Sequence, residues 1–438
     1  MHRCQSSLTC RILAVAFAVS VFAGSAFATT EKVVYGFLGQ PDGINPNAGL
    51  VADAAGNLYG TTTAGGTDSS CSCGTIFELS PPAFAGGAWT ETILYSFQGG
   101  ANDGARPFGT LIFDKAGNLY GTSLGGGSNN PGTVFELSPP ATAGGAWTET
   151  VILFFAANFA GGASPEGKLA MDAEGDLFGT AQSGGKSGEG VVFEILKPKV
   201  AGKPWVGKVL HSFGQTDGDG FQPGSNIVFR NGVIFGTTAN AGTHWGTIFR
   251  LVNNSGTWTY SILFDFNGNN GSAPWGGVII DKAGNLYGTA NGGGINGKRC
   301  DPQGCGVIFE LSPPATAGGS WTETTLYEFT GAGDGANPYG TLWIDALGNL
   351  YGTASQGGKT NTTGAGGPTL GTVYKLKAPV DSGGTWTLQL LHDFGGIQAG
   401  DGNFPLGELI LVNGLLYGTT DLGGNEFSNG GTVFSVVP

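Results

Sequence analysis

The chain has 438 residues, 83 of them glycine, a formal net charge of −13 and only 12% charged side chains. That acidity argues against nucleic acid or an anionic membrane as a partner and leaves neutral glycans, cations or extracellular proteins. High glycine with 11% aromatics and no excess of charge indicates short strands joined by tight turns, not disorder.

In chain order, residues 1–28 read as a secretory signal peptide. Arg3 and Arg11 form a positive n-region, the apolar run 12–24 follows, and Ser25-Ala26-Phe27-Ala28 offers small residues for cleavage after Ala28. The run is too short to span a bilayer, and no second apolar stretch is long enough, so no membrane span is expected. Cleavage leaves Cys71, Cys73, Cys300 and Cys305. In an oxidising compartment these are expected as disulfides. Cys300 with Cys305 makes a local staple, whereas Cys71 with Cys73 makes a tight ring that closure strains. No histidine neighbours either pair, which argues against metal sites there.

Residues 29–438 read as one all-β domain built of repeats. The first expected strand is Lys32-Val33-Val34-Tyr35-Gly36-Phe37. It matches the last strand of later units, such as Leu94-Tyr95-Ser96-Phe97 and Leu326-Tyr327-Glu328-Phe329. The segment Gly56-Asn57-Leu58-Tyr59-Gly60-Thr61 then recurs with its aromatic at Tyr120, Phe178, Phe235, Tyr287, Tyr351 and Tyr417, about once every 60 residues. Each unit carries four short β-favouring runs, a to d. Around Tyr120 they are 109–114, 118–123, 132–137 and 147–155. Four antiparallel strands in each of seven units predict a seven-bladed β-propeller. The chain reaches residue 437 on a strand c with no strand d after it. The ring is therefore expected to close by lending the N-terminal strand, outermost, to the last blade, which removes two open edges.

Several repeated residues read as structural. Asp53, Asp114, Asp172, Asp281 and Asp345 open the a–b turn, and units four and seven use Asn231-Gly232 and Asn413-Gly414 instead. Interchange of two turn chemistries marks a turn, not catalysis. The aromatic before Gly-Thr, and the Trp opening strand d (Trp89, Trp147, Trp205, Trp258, Trp321, Trp386), read as packing between blades. His211 and His392 stand where other units have Tyr and read the same way.

The runs G-N-L-Y-G-T, G-T-V-F-E-L and L-Y-S-F-x-G-x-x-D-G-x-x-P together resemble the tandem GloVer repeat of choice-of-anchor bacterial secreted proteins, over residues 30–438. The resemblance implies export and, in many members, surface attachment through C-terminal sorting signals. It implies no reaction and no ligand. Pro438 follows strand c without the apolar tail and basic stop of anchored members, which leaves surface retention unsupported.

A propeller puts the d–a and b–c loops on one face, and the b–c loops vary most. Asp42, Asp103, Asp219, Asp334 and Asp401 open D-G-x-x-P-type turns there. A ring of such carboxylates near the axis is a candidate Ca²⁺ site, densest at Asp217 and Asp219. The residue after each turn proline varies: Asn47, Phe108, Glu166, Gly224, Trp275, Tyr339 and Leu406. Phe108, Trp275 and Tyr339 are candidate stacking faces for a sugar, with His244 and Trp245 on the same face. These readings favour a non-catalytic extracellular scaffold that binds a glycan or a protein. The alternative is a polysaccharide hydrolase or lyase using Glu166 and Asp219 as its carboxylate pair.

Overall fold

The computed structural model describes residues 31–438 except 69, 85, 143, 156–159, 201, 217, 225, 242–244, 295–299, 301–303, 317, 359–369, 382, 396–399 and 425–428. It is all-β: seven antiparallel sheets form a seven-bladed propeller, as the repeats predict. Blade 2 shows the plan. Its middle strands, Leu119–Gly126 and Thr133–Ser138, pair in register, and Thr148–Phe154 lies outside them. The innermost position differs from the sequence reading. Strand a splits into Gly104–Pro107 and Ile112–Phe113, both paired with strand b. The segment expected as a d–a turn is thus partly strand.

Blade 7 takes its outer strand from the N-terminus. Glu31–Gly36 pairs antiparallel with Thr432–Val436, Lys32 facing Ser435. The core is divided into seven clusters, one at each seam between blades. The cluster holding Phe37, Leu50, Phe77, Tyr417 and Val433 joins blade 7 to blade 1 and closes the ring.

The repeated residues explain the seams. The Phe ending strand d meets an aromatic in strand c of the next blade edge to face, centroids 5.1–5.3 Å apart, at all seven seams from Phe37–Phe77 to Phe394–Phe434. The Trp opening strand d clasps the strand-b aromatic of the preceding blade at six seams, 5.7–6.5 Å between centroids, including Trp89 on Tyr417 across the closure. Between blades 6 and 7, Tyr351 meets Trp343 of its own blade instead. The Thr of the repeat is a latch: the Oγ1 of Thr122, Thr180, Thr289, Thr353 and Thr419 donates to a strand-a carbonyl of the next blade.

One glycine per blade is obligatory. Gly74, Gly132, Gly190, Gly246, Gly306, Gly371 and Gly431 open strand c with φ between +92° and +108°. A Cβ on any of them would stand 2.5–2.7 Å from the Cδ of the next blade's turn proline. The residue before each of those prolines is also left-handed, φ +50° to +60°, although none is glycine: Asn45, Arg106, Ser164, Gln222, Ala273, Asn337 and Phe404. Its amide donates at 2.7–3.0 Å to the carbonyl just before the seam glycine. That bond holds a costly conformation and turns the chain toward the axis.

Candidate functional site

The turn aspartates are structural. Asp53, Asp114, Asp281 and Asp345 each accept from two backbone amides, from the Asn four residues on and from the repeat's Tyr hydroxyl. Four bonds on one carboxylate fix the a–b turn and anchor the Tyr that the Trp clasps.

Among the described residues, the second set of aspartates does not converge on one point as a shared cation site would require. Each turns back onto the strand before it. Tyr35, Tyr95 and Tyr327 donate to Asp42, Asp103 and Asp334, while His211 and His392 pair with Asp219 and Asp401 at 2.9 and 2.8 Å. Asp219 is buried, its other oxygen accepting from the Gln215 amide. Asp217 and His244 lie outside the described residues.

The axial mouth on the variable-loop face brings other candidates together. One cavity is lined by Asn47, Phe108, Glu166, Tyr339 and Leu406, all partly exposed. Trp275 stacks nearly parallel on Tyr339, centroids 6.4 Å apart. Burial pushes the Glu166 carboxyl up to about 7, against the opposing pull of Arg106 and of the Gln182 amide that donates to it. Burial, then the Glu166 charge, pushes the Tyr339 phenol up to about 12. The Asn47 Oδ1 is buried with no hydrogen-bond partner. Trp245 is not part of this group. It is half exposed and lines a separate depression with Asn267, Asn269 and Ser272. Asp219 does not line the cavity that holds Glu166.

The floor of the mouth is a polar belt that sequence reasoning missed. The position before the buried strand-a residue holds Gly49, Thr110, Lys168, Asn226, Gly277, Thr341 and Glu408. Lys168 Nζ reaches Glu408 Oε1 at 2.6 Å, joining blades 3 and 7 across the axis, and Glu408 is only 13% exposed. Asn226 accepts from the Lys168 amide and donates to Thr341 Oγ1, which donates to the Gly276 carbonyl. Thr110 Oγ1 accepts from the Gly49 amide. Gly49, Thr110, Asn226, Thr341 and Glu408 of the belt line the same cavity as the mouth residues. The belt's sequence signal was a lone Lys and a lone Glu in a slot otherwise filled by Gly, Thr and Asn.

Both cysteine pairs sit in b–c loops. Cys300 and Cys305 are bonded, and Cys71 is paired with Cys73, each pair with Cα atoms 5.1 Å apart. No described helix is long and apolar enough to cross a membrane.

Among solved structures the chain is similar to PorZ, a surface component of the type-IX secretion system of Porphyromonas gingivalis. Identity is 16% over 88% of this chain and 46% of that one, with a TM-score of 0.49. It is similar to the extracellular domain of a hybrid two-component system from B. thetaiotaomicron, with 11% identity, coverage of 93% and 40%, and a TM-score of 0.51. A gluconolactonase from Xanthomonas campestris matches at 13% identity, 74% and 83% coverage, and a TM-score of 0.39. The chain spans less than half the length of the first two, and at 11% identity the likeness to the second is one of fold. No curated protein matches. The sequence profile of the Gloeobacter/Verrucomicrobia repeat matches residues 20–244 and again 222–438, so the chain belongs to that repeat family.

Proposed function

We propose that this protein is an exported, non-catalytic interaction scaffold whose axial mouth binds a glycan, the chain being released by cleavage after Ala28. The observation that carries this reading is the contrast between two kinds of position. The residues that build seams repeat around the ring. The residues that line the mouth do not, and two of them, Phe108 and Tyr339, are partly exposed aromatics, with the partly exposed Trp275 stacked on Tyr339. Sugars stack on such faces through their C–H surfaces, and Asn47, Glu166 and Arg106 stand ready for hydroxyl groups. The polar belt lines the same cavity and adds hydrogen-bonding groups to it. The likeness to an extracellular domain from B. thetaiotaomicron is in keeping with export.

A second reading, a polysaccharide hydrolase or lyase, draws support from Glu166. A carboxyl near 7 suits a general acid. The proposed partner, Asp219, is bound to His211 and outside the cavity, and the other carboxylate that lines it, Glu408, is paired with Lys168, so this reading lacks its proposed pair.

A glycan array with the purified secreted chain separates the two. Binding without product, lost in Trp275→Ala with Tyr339→Ala, supports the scaffold. Product release lost in Glu166→Gln supports the enzyme. Absence of binding to every glycan overturns both ligand assignments and leaves a protein partner.

A further inference from the structure

We infer that Glu31, His392 and Asp401 form a site for a divalent cation of the Zn²⁺ type at the seam where the ring closes. Their donor atoms all lie within 4.8 Å of one another, His392 Nε2 being 2.8 Å from Asp401 Oδ2. The Glu31 Oε1 is buried from solvent and has no hydrogen-bond partner. Amides of Gly395 and Gly402 orient the Asp401 carboxylate.

The other seams show what is particular here. Between blades 7 and 1 the equivalent groups are Tyr35, Asp42 and Glu91; between blades 1 and 2 they are Tyr95, Asp103 and Glu149. A phenol that donates to the carboxylate is a poor ligand for a cation. An imidazole is a good one. The seam between blades 3 and 4 also has a histidine, His211 with Asp219. There Tyr260 takes the place of the glutamate and stacks on His211 at 3.9 Å. Among the described residues, a nitrogen ligand and two carboxylates converge at the blade 6–7 seam alone.

The donor set also selects the ion. One imidazole and two carboxylates suit a four-coordinate site with bonds of about 2.0–2.2 Å and one position left for water. Ca²⁺, which takes about 6–8 oxygens, is poorly served. Donor atoms on a tetrahedral ion of that size sit about 3.3–3.6 Å apart, inside the 4.8 Å span of the three groups here.

The site has a mechanical meaning. Glu31 comes from the N-terminal strand, His392 from the outer strand of blade 6, and Asp401 from the loop that enters blade 7. An ion would tie all three segments. Among the described residues this seam lacks the tryptophan clasp found at the other six, and by sequence the position equivalent to Trp89 is a threonine, Thr29. The cation would brace the seam that aromatic packing leaves weakest.

Calorimetric titration and thermal melting of the untagged, chelator-treated secreted chain with Zn²⁺ test this. The expected result is one equivalent bound with a saturating rise in Tm. His392→Tyr installs the residue that holds this place at Tyr35, Tyr95 and Tyr327, so the fold has a precedent for it. It should lower Zn²⁺ affinity at least tenfold and leave the metal-free Tm unchanged. Glu31→Gln should act in the same direction, and His211→Tyr should not. No saturable binding, or binding unchanged in both Glu31→Gln and His392→Tyr, overturns the inference.

Discussion

Replacing Gly190 with alanine tests the seam geometry at a single atom. Gly190 has φ +102°, and its new Cβ would lie 2.5 Å from Pro223 Cδ and 2.7 Å from the Ala181 carbonyl oxygen. Gly202→Ala is the matched control in the same blade. Its φ is +79°, and a Cβ there meets nothing within 4 Å. Both variants carry the cost of a left-handed alanine, about 1–2 kcal/mol. Only Gly190→Ala adds overpacking against backbone and a rigid proline ring, about 1–3 kcal/mol more. The assay is urea unfolding followed by tryptophan fluorescence, because a Trp clasps six of the seven seams. The midpoint of Gly190→Ala should fall well below that of Gly202→Ala at equal slope. Equal midpoints would refute the claim that this glycine is fixed by contact across the seam.

The pH dependence of stability follows from the seam glutamates. Burial, then the charges of Asp42 and Asp103, raises the Glu91 and Glu149 carboxyls from 4.5 to about 7. The folded state therefore keeps protons that the unfolded chain gives up. The stability they confer is full below about pH 4.5 and is lost as pH rises through 7. Tm measured from pH 5 to 8 should fall, and Glu91→Gln with Glu149→Gln should flatten the slope. At the belt, Lys168→Met leaves the Glu408 carboxylate without its cation, and because Lys168 is itself a third exposed the cost in urea unfolding should be about 1–3 kcal/mol. Adding Glu408→Gln should recover part of that loss; a double variant no better than the single would deny the ion pair its role.

Most of the fold was legible because the sequence repeats. Seven copies of one hexapeptide gave the blade count, and Lys32–Phe37 gave the closing strand by its likeness to Leu94–Phe97. His211 and His392 stand where other units have tyrosine, and each contacts its turn aspartate as Tyr35, Tyr95 and Tyr327 do. What periodicity could not convey was contact across the ring. Lys168 and Glu408 are 240 positions apart, and no repeat pattern joins them. The left-handed residues before the prolines were invisible for a different reason. Their side chains range from Ala273 to Arg106 and Phe404, and the conformation is imposed by the amide bond to the neighbouring blade. The carboxylates of D-G-x-x-P read as a candidate cation ring because the sequence shows the Tyr and His residues of strand d but not their contacts with these aspartates. The mouth was legible only as variation, which located Phe108, Trp275 and Tyr339 but could not separate Trp245 from them.

The central claim is that the chain's two ends make one blade. The antiparallel register places Lys32 opposite Ser435. Lys32→Cys with Ser435→Cys should therefore form a cross-link under mild oxidation, recovered by proteolysis and mass spectrometry as the N-terminal peptide joined to the C-terminal one within a single chain. A cross-link that forms only between molecules, or forms more readily with the cysteine moved from position 32 to 34, would contradict the closed ring.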